Sequence, residues 1–215
     1  MYTQWIQYHP ALGKGPELRA LLEQRVKSYQ SKGQSVALAV RMMGDEEGNP
    51  FIAVFRHQDL AAQEAFRRSA QSDPTFAEFA AKSASLLARP AAVSLREVLI
   101  PAPTNLPALT APYFAQVTQV FPIPGKGPEL GTLLEEGVKV YQSAGQLSNL
   151  ATLVYGSDGP FFALTTAFQS LAELESFRHG NQADPAYLAR VAKLPPLMRQ
   201  PAKQTLGEVL IGFPA

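Results

Sequence analysis

The chain says almost everything twice, and that duplication narrows its fold more than any other feature. Residues 13–34, GKGPELRALLEQRVKSYQSKGQ, return as residues 125–146, GKGPELGTLLEEGVKVYQSAGQ. Phe66-Arg67 recurs as Phe177-Arg178, Asp73-Pro74 as Asp184-Pro185, and Glu97 to Ile100 (EVLI) as Glu208 to Ile211. The offset is 112 residues at the glycine loop and 111 at the Asp-Pro pair, so the copies differ in length by about one residue. Solenoid repeats have periods of roughly 20–50 residues, so a unit this long is a small domain rather than a solenoid turn. Two copies are expected, at 1–100 and 113–215. The Pro-rich segment 101–112, PAPTNLPALTAP, joins them as a semi-rigid, extended linker.

Each copy reads as the same succession of elements. Residues 2–9 (YTQWIQYH) are aromatic and β-branched and read as a strand, closed by Pro10 and the Gly13–Gly15 loop. Pro16 suits a first helical turn, and Leu18, Leu21, Leu22, Val26 and Tyr29 mark one apolar helix face, with Gly33 as the left-handed stop. Residues 35–43 and 51–57 read as two short strands joined by the turn GDEEGNP. A helix from Leu60 to about Ala70 has Asp59 as its cap. Asp73-Pro74 starts a third, with Phe76, Phe79, Ala80 and Leu87 as the expected buried stripe, and residues 92–100 close the copy as a strand. The second copy gives strands at 113–121, 147–155, 161–169 and 203–211 and helices at 128–144, 171–181 and 185–194; Pro195-Pro196 should cut the last helix short.

Strand–helix–strand–strand–helix–helix–strand is a ferredoxin-like order, an antiparallel four-stranded sheet with helices on one face. That leaves the other face bare. Ala37, Leu38, Ala39 and Val40 are apolar on both faces, as in strands covered on both sides. The expected fold is therefore α+β: tandem βαββααβ repeats whose antiparallel sheets pack as one pseudo-dimeric α+β barrel within a single chain.

Composition removes several function classes. With 46% hydrophobic and 17% charged residues the chain is globular, and a net charge of +1 gives no basis for a nucleic-acid partner or an anionic membrane. The absence of Cys removes disulfides and thiolate chemistry. The N-terminus lacks a signal-like pattern, and no apolar run approaches about 18 residues, so a soluble cytoplasmic protein is expected.

The strand, the glycine loop with its Glu-Leu helix start, the hairpin and the Phe-Arg…Asp-Pro-x-Phe helix break resemble the dimeric α+β barrel superfamily. Within it the chain is most similar to antibiotic biosynthesis monooxygenase-like and NIPSNAP-like domains, over two fused copies. The resemblance implies a small apolar or aromatic ligand in a sheet–helix cleft and, if the protein is an enzyme, cofactor-independent oxygenation. Heme-degrading relatives use an asparagine on the first strand, a tryptophan and a helix histidine. Ile6 and Thr118 occupy the asparagine position, Trp5 is the lone Trp, and His179 has Arg68 as its counterpart in the first copy, so the triad is not assembled.

No motif points to a metal or a cofactor. GKGPEL lacks the spacing and hydroxyl of a Walker loop and reads as a turn followed by a helix start. His9, His57 and His179 have no metal-ligand spacing. Strand alternation puts Gln4, Ile6 and Tyr8 on one face and Trp5, Gln7 and His9 on the other, and the resemblance turns the Gln4 face to the sheet–helix cleft. The candidate ligand residues are Gln4, Tyr8, Gln116, Thr118 and His179, with Trp5, His9, Arg41 and Arg56 second; Arg41 and Arg56 are expected as neighbours near the hairpin end. Three functions follow: a small-molecule binder with monooxygenase-like activity, a non-catalytic scaffold for oligomerisation or partner binding, or a heme binder through His179 or His9. The expected partners are a small ligand and a second copy of the chain, forming a homodimer.

Overall fold

The computed structural model describes residues 1–44, 49–157 and 159–214. The chain runs β1 (Tyr2–Tyr8), α1 (Gly15–Ser31), β2 (Val36–Met43), β3 (Phe51–His57), α2 (Leu60–Ser72), α3 (Pro74–Leu86) and β4 (Ala92–Ile100). It continues as β5 (Tyr113–Val120), α4 (Gly127–Ser143), β6 (Leu147–Tyr155), β7 (Phe162–Phe168), α5 (Leu171–Ala183), α6 (Pro185–Val191) and β8 (Lys203–Ile211). Most of the expected GDEEGNP turn lies outside the described residues. As the two prolines dictate, α6 stops after seven residues and a 3-10 turn follows at Pro195–Leu197.

The eight strands close into one barrel in the order β1-β3-β2-β8-β5-β7-β6-β4. Every pairing is antiparallel. The expected α+β barrel is thus present, and continuous backbone hydrogen bonding closes it: β2 pairs with β8 and β4 with β6, so each half's edge strands are completed by the other half. Both seams carry register shifts, the local bends a sheet needs to curl into a cylinder. Equivalent glutamines pin the seams: Gln30 Nε2 donates to Val36 O and Gly212 O, and Gln142 Nε2 donates to Ser148 O and Pro101 O, at 2.7–2.9 Å.

Register sorts the side chains. Gln4, Ile6 and Tyr8 lie opposite Phe55, Ala53 and Phe51, on the face that packs against the helices, with Val36 and Leu38 beside them. Ala37 and Ala39 fall on the barrel's inner face, where eight strands leave room for little more than packed side chains. A core beneath α1 is built on Leu18, Leu22, Val26, Val36 and Leu38, and a second beneath α4 on Leu130, Leu134, Val138 and Leu150.

The helix starts follow from local chemistry. Gly13 and Gly125 turn with φ of 76° and 83°, and Lys14 and Lys126 reach Glu17 and Glu129 at 2.9 and 2.7 Å. The glycine loop's lysines are therefore engaged with their own helices. Asp59 Oδ1 accepts from Ala62 N, and Asp73 Oδ1 accepts from Thr75 N. The buried stripe of α3 differs from the expected one. Ser83 and Leu86 are buried with Phe76 and Phe79 half-buried, while Ala80 is exposed and Leu87 has left the helix with extended backbone. The 76, 79, 83, 86 spacing is the truer 3.6-residue stripe.

Candidate functional site

α2 has no buried residue and touches the sheet through Phe66, whose ring lies against Phe55 and His57 of β3. Between it, α1, α3 and strands β1, β3 and β4 lies a cleft of about 240 Å³. Its walls are mostly apolar: Ile6, Leu22, Val26, Ala53, Phe55, Phe66, Ala70, Phe76, Phe79 and Val93. Aromatic rings cluster edge-on and tilted along one side: Phe66 lies 5.5 Å from Tyr29 and 4.9 Å from Phe55, with His57 5.5 Å behind it.

A few polar groups converge on this slot. Gln4 Oε1 is buried and accepts no hydrogen bond among the described residues. Tyr8 is 8% exposed, and burial pushes its phenol well above the ordinary range; the neighbouring Tyr29 adds to this and the Arg25 charge opposes it. Tyr8 is therefore a neutral O–H group at any physiological pH. Arg25, on the buried face of α1 and also 8% exposed, donates from Nη1 to Thr75 Oγ1 at 2.9 Å and from Nη2 to Tyr29 Oη at 2.8 Å. Its guanidinium lies 4.3, 5.8 and 5.4 Å from the ring centres of Tyr29, Phe76 and Phe79. Its Nε is buried and has no acceptor among the described residues.

The expected site residues divide between several places. Gln4 and Tyr8 line this cleft. Gln116 and Thr118 occupy the equivalent helix-facing positions of the second half, opposite Thr166 and Leu164. His179 is exposed on α5, outside the first-half cleft. Trp5 faces the barrel interior, where its Nε1 donates to Thr3 Oγ1 and the Arg96 guanidinium lies 3.8 Å from its ring centre and 5.2 Å from that of Phe161. His9 is buried at the end of β1 with Arg89 Nη2 at 2.9 Å from its Nε2.

Arg41 and Arg56 are not neighbours. The antiparallel register sets Arg41 level with Pro50 and Arg56 level with Ser35, about 20 Å apart along the strands. The Arg56 guanidinium instead lies 3.5 Å from the Phe213 ring centre. Among the described residues no three His, Asp or Glu side chains gather as a metal would require.

Sequence reasoning passed over Arg25, Arg67, Phe66, Phe76 and Phe79 as site residues. For Arg25 a signal existed: an arginine three residues after Leu22 and four before Tyr29 interrupts an apolar face, at the position where the second copy has Gly137.

No protein-family model matches this chain, and no curated protein matches it significantly. Solved structures do. A Fusobacterium nucleatum protein named "putative monooxygenase" superposes with a TM-score of 0.76 at 13% identity, covering 97% of this chain and 92% of its own. A Lactobacillus acidophilus protein of the same name gives 0.68 at 10% identity over 99% and 97%. An anthrone oxidase-like protein gives 0.62 at 12% identity over 97% and 90%. These structures share the fold described above, an eight-stranded α+β barrel closed within one chain. Identities this low speak to fold alone.

Proposed function

We propose that the chain binds a small aromatic molecule in the first-half sheet–helix cleft and oxidises it with dioxygen, as a cofactor-independent monooxygenase. The observation that carries the binding is the cleft itself: an aromatic-walled slot lined by Tyr8 and by Gln4, whose buried Oε1 has no partner among the described residues. Its size limits the ligand. About 240 Å³ is below the roughly 300–1,000 Å³ of drug-sized sites. An engineered apolar cavity of about 150 Å³ holds benzene, so one or two fused rings suit this one. The oxidation rests on the names of the fold neighbours. In such a reaction an activated CH2 beside a phenolic ring becomes C=O, dioxygen takes the four electrons, and one oxygen leaves as water. The substrate alone supplies the electrons, and a water-poor cleft that holds its phenolate lowers the barrier.

The test has two arms. Binding of 2-naphthol, followed by ligand-observed NMR, should be saturable and should vanish in Ala70→Phe, which fills the cleft from α2. An oxygen electrode should record uptake above the uncatalysed rate with a panel of one- and two-ring quinols and phenols that carry an activated CH2. Binding without oxygen uptake would leave a ligand-binding protein and remove the enzyme. Absence of both would remove the reading altogether.

A further inference from the structure

Gly137 is the second-half counterpart of Arg25, and it leaves no side chain on α4 at that position. A Cβ placed there would meet Arg190 Cδ and Nε at 3.7 Å, so Arg190, from α6, lies across the vacant spot. Arg190 is in turn the counterpart of Phe79. The two halves have exchanged partners: arginine on the first helix and phenylalanine on the third in one, glycine on the first and arginine on the third in the other. In both, the guanidinium's charge acts on the equivalent tyrosine. Tyr29 accepts from Arg25, and the Tyr141 phenol, raised by burial and by Tyr187, feels the opposing charge of Arg190. What the two halves share is a positive charge at this place on the first helix, not a residue on a particular helix.

In the first half this charge is under-used. Two of the five guanidinium N–H groups are spent on Thr75 and Tyr29, and Nε faces no acceptor among the described residues. Among the described residues the carboxylate oxygen paired with it, Asp73 Oδ2, is 3.9 Å away and already takes Lys32 Nζ at 2.9 Å. Both charged residues lining the cleft, Arg25 and Arg67, are cationic. A buried cation flanked by aromatic shelves, in a slot with no lining carboxylate among the described residues, has the chemistry of an oxyanion receptor.

We infer that the first-half cleft selects an aromatic carboxylate of one or two rings, its carboxylate on Arg25 and its ring against Phe66, Phe76 and Phe79. Gln4 Oε1 accepts from a ring hydroxyl on the same ligand. The inference rests on the reading of this cleft as an aromatic site, and deepens it by naming the anionic group.

The probes are 2-naphthoate and its nearly isosteric neutral amide, 2-naphthamide, titrated calorimetrically against the full chain. Wild type should bind the carboxylate about tenfold or more tightly than the amide. Arg25→Gln should remove that preference, while Arg25→Lys restores part of it. Arg67→Gln, at an exposed position where folding is not at stake, should lower the preference by about two- to threefold. Equal affinities in wild type would overturn the inference while leaving the aromatic cleft standing. Failure of both probes would remove both. A preference that survives Ala70→Phe would place the anion site elsewhere and overturn the inference too, and this arm decides even if Arg25→Gln does not fold.

Discussion

His57 ends β3 at 5% exposure, its ring stacked on Phe55 and packed against Phe66, with Nε2 buried and unpartnered among the described residues. Burial lowers its pKa. The unfolded chain therefore binds the imidazole proton near pH 6.5 and the folded chain only at lower pH. Between those values the unfolded state holds more protons, so stability is lost as pH falls through about 6.5 and recovers as it rises. The second half has Phe168 here, packed on Phe177 at 5.3 Å in the same manner. His57→Phe should flatten the dependence, removing up to about 1.4 kcal/mol per pH unit over that window. Urea midpoints at pH 5, 6, 7 and 8 check this, and an unchanged slope in the variant would refute it. At this scale the sequence is half legible. Period-two alternation puts Gln4 and Tyr8 on one face without any structure. Arg25 is hidden because an arginine in a helix reads as a solvated surface group, and only the packing of α3 over α1 shows that it is enclosed.

Two aspartates at equivalent helix breaks show how an element's start is set by its surroundings. Asp73 and Asp184 each cap a helix through an N–H two residues on, at 2.9 Å. Asp73 also accepts from Thr75 Oγ1 and Lys32 Nζ and lies 3.9 Å from Arg25, and these hydrogen bonds hold its carboxyl well below the usual range. In the second half the corresponding residues are Ala186, Ala144 and Gly137, which offer none of those groups. Asp184→Ala should cost about 1 kcal/mol, the ordinary loss of a cap. Asp73→Ala should cost more than that, because the Thr75 hydroxyl and the Lys32 ammonium lose a partner as well. Paired denaturant titrations with unchanged m-values would show the difference, and equal losses would mean that the cap alone matters. Helix starts and turns are legible from sequence because Asp, Pro and Gly act within three residues of themselves. The inner stripe of α3 is not. Whether Ala80 or Ser83 faces inward depends on how the helix is rotated on α1, and small residues carry too weak an apolar signal to report it.

On the scale of the whole molecule, neither half has a complete sheet. β2 and β4 find their outer partners only in β8 and β6, and the barrel's inner face is covered only when the ring is closed. The ferredoxin-like order and the need to bury a second face are readable in the sequence. That the halves join edge to edge is not, since it depends on bulges and on which backbone edges meet. Severing the chain within 101–112 should leave two fragments with open edges and bare inner faces, surfaces that drive strand pairing between molecules. The fragments should therefore co-purify one to one when mixed, and each alone should self-associate rather than remain a folded monomer. Trp5, the single tryptophan, reports the event directly. It lies inside the barrel against Arg96, whose guanidinium also approaches Phe161 of the other half. Its emission should move to longer wavelength in the isolated first fragment and return when the second is added, with the mass of the complex read by light scattering. A first fragment that stays monomeric, with the intact chain's emission, would show that half a barrel folds alone and that the seams only dock finished domains.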